Sequence, residues 1–150
     1  MEISDEIKRC IDKSVLCWSA TSSMDNIPNV SPKEIFSFYE TDQIIIANIA
    51  SPQTVKNIKA NENVAVSLID ILVQKGFQIK GKAKIISKEH AEFKTMESVL
   101  VKMTGGKFPF QTITCITAEK VKPIIAPRYL LYPETTEEQQ VEGARKSYGL

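Results

Sequence analysis

The residues best suited to chemistry in this chain follow an apolar run, Ile44–Ala47, that is typical of a buried strand. Ser51 and Pro52 come shortly afterwards and predict the start of a helix, because Ser caps helices well and Pro suits the first helical position. The backbone N–H groups of Gln53 and Thr54 would then point out of the helix end, where such groups bind anions such as phosphate. An ordinary capped helix would have the same residues, so this segment alone leaves both interpretations open.

A second polar set lies on the segment Pro28–Lys33. Its two prolines lack backbone donors and stiffen the chain, which favours an extended conformation. In an extended strand Asn29, Ser31 and Lys33 project from one face, because side chains alternate with a period of two. The pattern indicates a polar strand face but does not by itself identify a ligand.

Lys80, Lys82 and Lys84 form a basic stripe on a strand that the alternation over residues 77–85 predicts. The ordinary interpretation is a solvated strand face that resists aggregation. The alternative is a surface that attracts a phosphorylated cosubstrate. Gly81, in the middle of this strand, indicates a bulge or the close approach of another backbone.

Other chemistries have little support in the sequence. His90 is the single histidine and has Glu89 and Glu92 beside it, so we interpret it as a surface residue rather than a catalytic base or a metal or haem ligand. The three cysteines lack the spacing of a zinc site or a disulfide framework and are expected to fill apolar positions. The Gly-Gly-Lys at 105–107 is too short for a P-loop and predicts a helix end. We expect no catalytic side chain and no metal site.

Length and composition favour one domain over residues 1–150, with 43% hydrophobic and 25% charged residues. The formal net charge is +1, so no global field attracts nucleic acid or an anionic membrane. No apolar run approaches the roughly 18 residues needed to cross a bilayer, and the amphipathic N-terminus lacks the apolar core of a signal peptide. We therefore expect a soluble cytoplasmic protein without nucleic acid or membrane partners.

The remaining periodicity predicts a mainly β protein with peripheral helices and largely antiparallel strands, for which a small closed barrel fits best. An amphipathic helix opens the chain, and a longer helix spans residues 88–103. Residues 123–150 are predicted to be helical, with a capping box at Thr135 and Glu138. The predicted strands span residues 15–21, 34–39, 44–47, 64–70, 77–85 and 112–122.

In order and spacing these segments resemble the pyridoxamine 5'-phosphate oxidase-like, FMN-binding split-barrel family, and most closely its small general flavin-binding members. The resemblance covers about residues 10–122. It is carried by the strand that ends in Ala-Thr-Ser at 20–22, the segment Pro28–Lys33, the strand and helix at residues 47–58, and the glycine-containing strand at residues 77–83.

The resemblance implies a six-stranded antiparallel Greek-key split β-barrel that forms a homodimer, with two FMN sites at the subunit interface. The residues it places along the ring and ribityl chain are Ala47, Asn48 and Ile49. The residues it places around the phosphate are Ser51, Gln53, Thr54 and, nearby, Asn57. The residues it places at the polar edge of the ring, or within reach of the cofactor, are Asn29, Ser31, Pro32, Lys33 and Gln78.

Two departures from the family pattern refine these expectations. Many relatives carry Lys or Arg where Gln53 stands, so Lys56 or Lys33 is expected to compensate. Vitamin B6 oxidases end in an aromatic- and arginine-rich segment with Trp and an Arg-x-His pattern, whereas residues 126–133 contain neither Trp nor His. We expect residues 123–150 to form an arm at the dimer interface, with Tyr129 or Tyr132 over the partner's flavin.

As a function, the resemblance implies an FMN-dependent oxidoreductase that passes electrons from NADH or NADPH to a small acceptor or free flavin. An FMN-binding electron carrier without a substrate of its own is the alternative, and a pyridoxamine 5'-phosphate oxidase is a third interpretation. The lysine stripe favours the first, and the lack of a nicotinamide-binding fingerprint favours the second.

Overall fold

The computed structural model describes residues 1–150, which form seven strands and five helices. The strands are β1 (Cys17–Ser22), β2 (Pro28–Lys33), β3 (Phe36–Tyr39), β4 (Gln43–Ala47), β5 (Asn63–Asp70), β6 (Lys75–Ser87) and β7 (Thr112–Ile125). The helices are α1 (Asp5–Lys13), α2 (Pro52–Ala60), α3 (Phe93–Thr104), α4 (Pro127–Leu131) and α5 (Glu137–Tyr148). None of these helices is both long enough and apolar enough to cross a membrane.

All strands belong to one curled antiparallel sheet with the order β2-β1-β5-β6-β7-β4-β3. The prediction has six strands and the structure has seven, because the polar segment Pro28–Lys33, predicted to be extended, is a full strand that pairs with β1 along its whole length. This strand lies at the sheet edge, where Pro28 and Pro32 are tolerated because an edge strand donates hydrogen bonds on one side only. The other edge is β3, which does not pair with β2, so strand pairing leaves the sheet open where a closed barrel is predicted.

The inner face of the curled sheet carries the larger core. Ile7 and Ile11 of α1 and the preceding Ile3 are each less than 5% exposed and pack on this face. Ser4 caps α1, since its hydroxyl accepts a hydrogen bond from the backbone N–H of Ile7 at 3.3 Å. Burying an Ile side chain contributes about 1.5–3 kcal/mol, so the apolar stripe of α1 is sufficient to hold the helix against the strands.

A second core lies on the outer face, beneath α3. Met96 and Leu100 of α3 are fully buried there, together with Ile45 and Cys115 of the sheet. Because neighbouring residues of a strand point to opposite faces, β4 sends alternate side chains into the two cores. Burial on both faces explains why the apolar run of β4 is unbroken.

Two helix boundaries differ from the predictions. Residues 88–92 form turns, so α3 begins at Phe93 rather than at residue 88. The capping box of α5 lies at Thr136 and Gln139, one residue after the predicted pair Thr135 and Glu138. Both pairs have capping chemistry, and the local sequence does not distinguish the two registers.

Gly81 has both of the features that its position predicts. Lys80 pairs with Lys120 and Gly81 with Ala118, so Glu119 is left unpaired as a β-bulge in β7. A Cβ atom at Gly81 would lie 2.0 Å from the carbonyl oxygen of Thr117. Only glycine allows the two strands to approach this closely at the bulge.

The C-terminal helices are held against the turn between β5 and β6. The hydroxyl of Tyr129 donates to the carbonyl oxygen of Val73 at 2.8 Å. Lys75 forms an ion pair with Glu137 at 3.0 Å, and its ammonium lies 4.6 Å from the centre of the Tyr129 ring. Tyr129 is therefore engaged within its own chain.

Candidate functional site

Lys33, at the end of β2, is an almost completely buried cation. The residue is 6% exposed, and its Nζ donates to the hydroxyl of Ser51. The ion pairs of the structure involve Lys8, Lys75 and Lys82, so the Lys33 ammonium has no carboxylate partner. Burial lowers the pKa of Lys33, and the neighbouring Cys17 acts in the opposite direction. A buried charge without a partner is costly, so this position is suited to an anion.

The first turn of α2 lies beside Lys33. Ser51 stands directly before the helix, but its hydroxyl does not cap α2 as predicted and instead donates to the carbonyl oxygen of Ile49 at 3.0 Å. The backbone N–H groups of Gln53 and Thr54 have no acceptor. Two free N–H groups and the Lys33 ammonium therefore meet at one helix end, which is a favourable environment for a phosphate group.

Hydroxyl groups line the sheet beneath this helix end. The hydroxyls of Ser31 on β2 and Thr54 on α2 are 3.4 Å apart. Ser19, which pairs with Ser31 across β1 and β2, is fully buried, and its hydroxyl has no hydrogen-bond partner. An unpaired buried hydroxyl costs about 1–3 kcal/mol, so this polar floor retains hydrogen-bonding capacity.

Gln53 and Asn57 form a chain of hydrogen bonds that ties α2 to β1. The amide of Gln53 donates to Asn57 Oδ1 at 2.8 Å, and Asn57 Nδ2 donates to the hydroxyl of Thr21 at 3.0 Å. Asn57 is 2% exposed. Its amide is therefore used inside the protein, where it fixes the position of the helix end.

Asn48 connects the end of β4 to β7. Its Nδ2 donates to the hydroxyl of Thr112 at 3.1 Å, and its Oδ1 accepts from the hydroxyl of Thr114 at 2.9 Å. Neither threonine is predicted from the sequence, because the two lie 64 and 66 positions away from Asn48 in the chain. Only the register between β4 and β7 brings them together, and no local pattern encodes that register.

A small, mostly apolar cavity of about 280 Å³ adjoins Lys33. It is lined by Pro32, Lys33, Glu34, Ile35, Ala47, Ile49 and Phe108. Pro32 and Lys33 are predicted at the polar edge of the flavin ring, and Ala47 and Ile49 along the ring. The fold therefore brings β2 and the end of β4 together at this cavity. Phe108, in the loop between α3 and β7, is not predicted, because an isolated exposed aromatic residue has no distinguishing sequence signal. A more open groove of about 560 Å³, which includes Ser51 and Lys56, runs along α2.

Gln78 is a predicted flavin contact that lies apart from Lys33 and the start of α2. It is on β6, in register with Ser67, Trp18 and Pro32 across the sheet. Lys33 occupies the adjacent position of β2, so its side chain projects from the opposite face to that of Gln78. Asn29 does share the face of Lys33 on β2 and is half-buried.

The lysine stripe of β6 also lies apart from Lys33 and the start of α2. Lys82 forms an ion pair with Glu62 at 3.2 Å and donates to the side chain of Asn63 at 2.7 Å. Lys80 and Lys84 are exposed and have no ion-pair partner. Within one chain the stripe is a solvated strand face, as its ordinary interpretation predicts.

Comparison with known families identifies the framework that carries this site. The sequence model of the family described as Pyridoxamine 5'-phosphate oxidase matches residues 3–142. The chain belongs to this family. The match spans the entire sheet and extends into α5, so the resemblance noted from the sequence is confirmed. No curated protein sequence matches the chain.

Solved structures of similar fold include proteins with different described roles. HupZ from Group A Streptococcus is 23% identical, with a TM-score of 0.68 over 79% of this chain and 91% of that chain. An FMN-binding protein from Syntrophomonas wolfei is 15% identical, with a TM-score of 0.68 over 81% of this chain and 86% of that one. HutZ, a heme storage protein from Vibrio cholerae, is 14% identical, with a TM-score of 0.66 over 83% and 95% of the two chains. At these identities the likeness shows the fold and leaves the ligand of this family member open.

Proposed function

We propose that this family member binds FMN, with the phosphate at Lys33, Ser51 and the first turn of α2. The observation that carries the proposal is the buried Lys33 ammonium, which has no carboxylate partner. A phosphate group would supply the missing negative charge and accept hydrogen bonds from the free N–H groups of Gln53 and Thr54. Lys33 then provides the positive charge that Gln53 lacks.

The cavity next to Lys33 supports the assignment of the ring. Ala47 and Ile49 give it an apolar wall at the end of β4, as expected for a flat aromatic group. Bound FMN supplies the hydride and electron chemistry. The protein binds and orients the cofactor and excludes water from one side of it, so no acid or base from the chain is required.

We propose an oxidoreductase that passes electrons from NADH or NADPH to a small acceptor or free flavin. An FMN-binding electron carrier is the alternative, since no nicotinamide-binding fingerprint is present. Pyridoxamine 5'-phosphate oxidation is the least favoured function, because residues 126–133 lack the Trp and Arg-x-His pattern of those enzymes.

Titration with FMN tests the cofactor proposal directly. The purified protein is expected to bind FMN with a dissociation constant on the order of 1–10 μM. The complex is expected to show the absorption spectrum of bound flavin. Anaerobic mixing of the complex with NADH or NADPH then separates the two leading functions: prompt bleaching supports the oxidoreductase, and an unchanged spectrum supports the carrier. Failure to bind FMN at any concentration would contradict both.

Haem is the competing ligand, since HutZ is a heme storage protein. His90 is exposed in the turn before α3, and its Nδ1 accepts a hydrogen bond from the backbone N–H of Glu92 at 3.2 Å. The cavity beside Lys33 contains no His, Cys, Met or Tyr, so it offers none of the usual axial haem ligands. A parallel titration with haemin is expected to give no ligated haem spectrum.

We further propose a homodimer in which two Greek-key split barrels share their flavin sites. Trp18 and Val30 lie on the outer face of β1 and β2 and are 49% and 58% exposed, although both are large apolar residues. Exposed apolar residues that adjoin one another are typical of interaction surfaces. Gln78 lies on the same face, where it would approach the flavin of the second subunit. Tyr132, which is 67% exposed, is the tail residue available to cover that flavin.

Trp18→Asp is expected to weaken this dimer about tenfold or more, because it places a charge in the centre of an apolar interface. Sedimentation equilibrium measures the change in the monomer–dimer equilibrium. Met103→Asp is the matched control, since Met103 is 48% exposed but lies on α3. A wild-type protein that stays monomeric at high concentration would contradict the proposed assembly.

A further inference from the structure

We propose that Phe108 contacts the flavin ring of bound FMN. Its contribution to the binding affinity comes from the ring and does not depend on the phosphate. The inference rests on the proposed FMN function and deepens it. Phe108 belongs to the loop between α3 and β7, and it lines the cavity of about 280 Å³ that adjoins Lys33. It is the aromatic member of that lining, which also includes Ala47 of β4 and Ile35 between β2 and β3.

The exposure of Phe108 points to a missing partner. Its side chain is 55% exposed, whereas Phe110, two residues later, is 7% exposed. Phe108 lines one cavity with Ile35, Ala47 and Ile49, so its exposed side chain adjoins a mostly apolar space at the edge of the core beneath α3. A flat heteroaromatic ring in that space would cover apolar surface on both sides and would stack favourably on Phe108.

The loop holds Phe108 in place. Gly105 and Gly106 have φ angles of +60° and +77°, so they turn the chain sharply at the end of α3. On the other side Phe110 is anchored in the core beneath α3, with its ring centre 6.5 Å from that of Phe93. Because both ends of this short segment are fixed, contact between Phe108 and a ligand needs little ordering of the chain.

Lys33 connects the ring cavity to the anion site. It lines the apolar cavity, and its Nζ contacts Ser51 at the start of α2. In a ligand with a phosphate at one end and a flat ring at the other, the phosphate would therefore contact Lys33 and the ring would contact Phe108. Lys33 and Phe108 should then have separable effects on binding.

Binding of FMN and of riboflavin, which has the same ring but no phosphate, distinguishes these effects. Phe108→Ala is expected to weaken both ligands to the same extent, by about fivefold, the size of one aromatic stacking contact. Met103→Ala, an exposed apolar residue of α3 outside the cavity, is the matched control and is expected to leave both affinities unchanged.

Phe108→Trp adds a readout of proximity that a purely structural role would not change. Indole quenches flavin fluorescence on contact by donating an electron to the excited ring. We expect Phe108→Trp to retain affinity and to reduce the fluorescence of bound FMN below that of the wild-type complex. Unchanged fluorescence in Phe108→Trp, or unchanged affinities in Phe108→Ala, would overturn the role of Phe108 while leaving FMN binding by the wild type intact. If the wild-type protein binds neither ligand, the FMN function itself fails and this inference fails with it.

Discussion

Lys33→Met is expected to weaken FMN binding about 100-fold while leaving riboflavin binding nearly unchanged. The variant would remove the proposed charge-assisted contact with the phosphate, and about 2.7 kcal/mol is within the range for hydrogen bonds to charged groups. Fluorescence titration with the two ligands gives both affinities. Equal losses for FMN and riboflavin would contradict a phosphate contact.

The protein itself should tolerate this substitution. Met has about the length of Lys and is apolar, and Lys33 is buried without a carboxylate partner. Replacing an unpaired buried cation with an apolar residue is expected to maintain or raise the free energy of unfolding. Lys56→Met is the matched control, because Lys56 borders the neighbouring groove but is exposed, and we expect a change of less than about threefold in FMN affinity.

The lowered pKa of Lys33 gives the same experiment a pH dependence. Its folded-state pKa lies below the ordinary value of 10.5 that applies to the unfolded chain, so between the two values the unfolded state binds more protons. The free energy of unfolding of the ligand-free protein therefore increases as pH rises through this window. FMN affinity changes in the opposite direction, because deprotonation removes the charge that attracts the phosphate. Lys33→Met should remove both dependences.

Gly81→Ala is expected to lower the free energy of unfolding by about 3 kcal/mol, at the upper end for overpacking. The added Cβ would lie 2.0 Å from the Thr117 carbonyl oxygen and 2.9 Å from its carbonyl carbon. Backbone atoms on a paired strand cannot move away as a flexible side chain can. Urea denaturation followed by circular dichroism measures the change.

Gly143→Ala provides the control for this substitution. Gly143 lies within α5, and its added Cβ would meet only the end of the Arg128 side chain, at 3.1 Å. Alanine is favoured over glycine in a helix by up to about 1 kcal/mol, so this variant should be neutral or more stable. Comparable destabilisation by both variants would show that the close approach at Gly81 is not the cause.

Most of the fold could be predicted because its signals are local. The alternation in β6, the apolar stripe of α1 and the Ser-Pro start of α2 each fall within a few residues of one another. The prolines and the alternation of Pro28–Lys33 also predict its extended, polar strand face. Its place at the sheet edge is not encoded locally, because that place depends on pairing with β1.

The candidate site could be predicted in part. The position of the α2 start followed from Ser51 and Pro52, but the hydroxyl of Ser51 bonds to Ile49 and accepts from Lys33 instead of capping the helix. Neither contact is visible in the local sequence, because the Lys33 side chain reaches Ser51 from another element. Phe108 is not predicted for the same reason, since its place in the cavity lining depends on the path of the loop between α3 and β7.

Under the proposed function, the burial of Lys33 would also link the lifetime of the protein to the supply of its ligand. The ligand-free fold bears the cost of a buried charge without a carboxylate partner, and a bound phosphate would remove that cost. A ligand that binds only the folded state adds about 2.7 kcal/mol of stability at a concentration 100 times its dissociation constant. Freshly synthesised chains would therefore be more open to proteolysis when flavin is scarce, and saturation with cofactor would lengthen their survival. Under the proposed function, a single side chain would make the amount of protein follow the amount of cofactor.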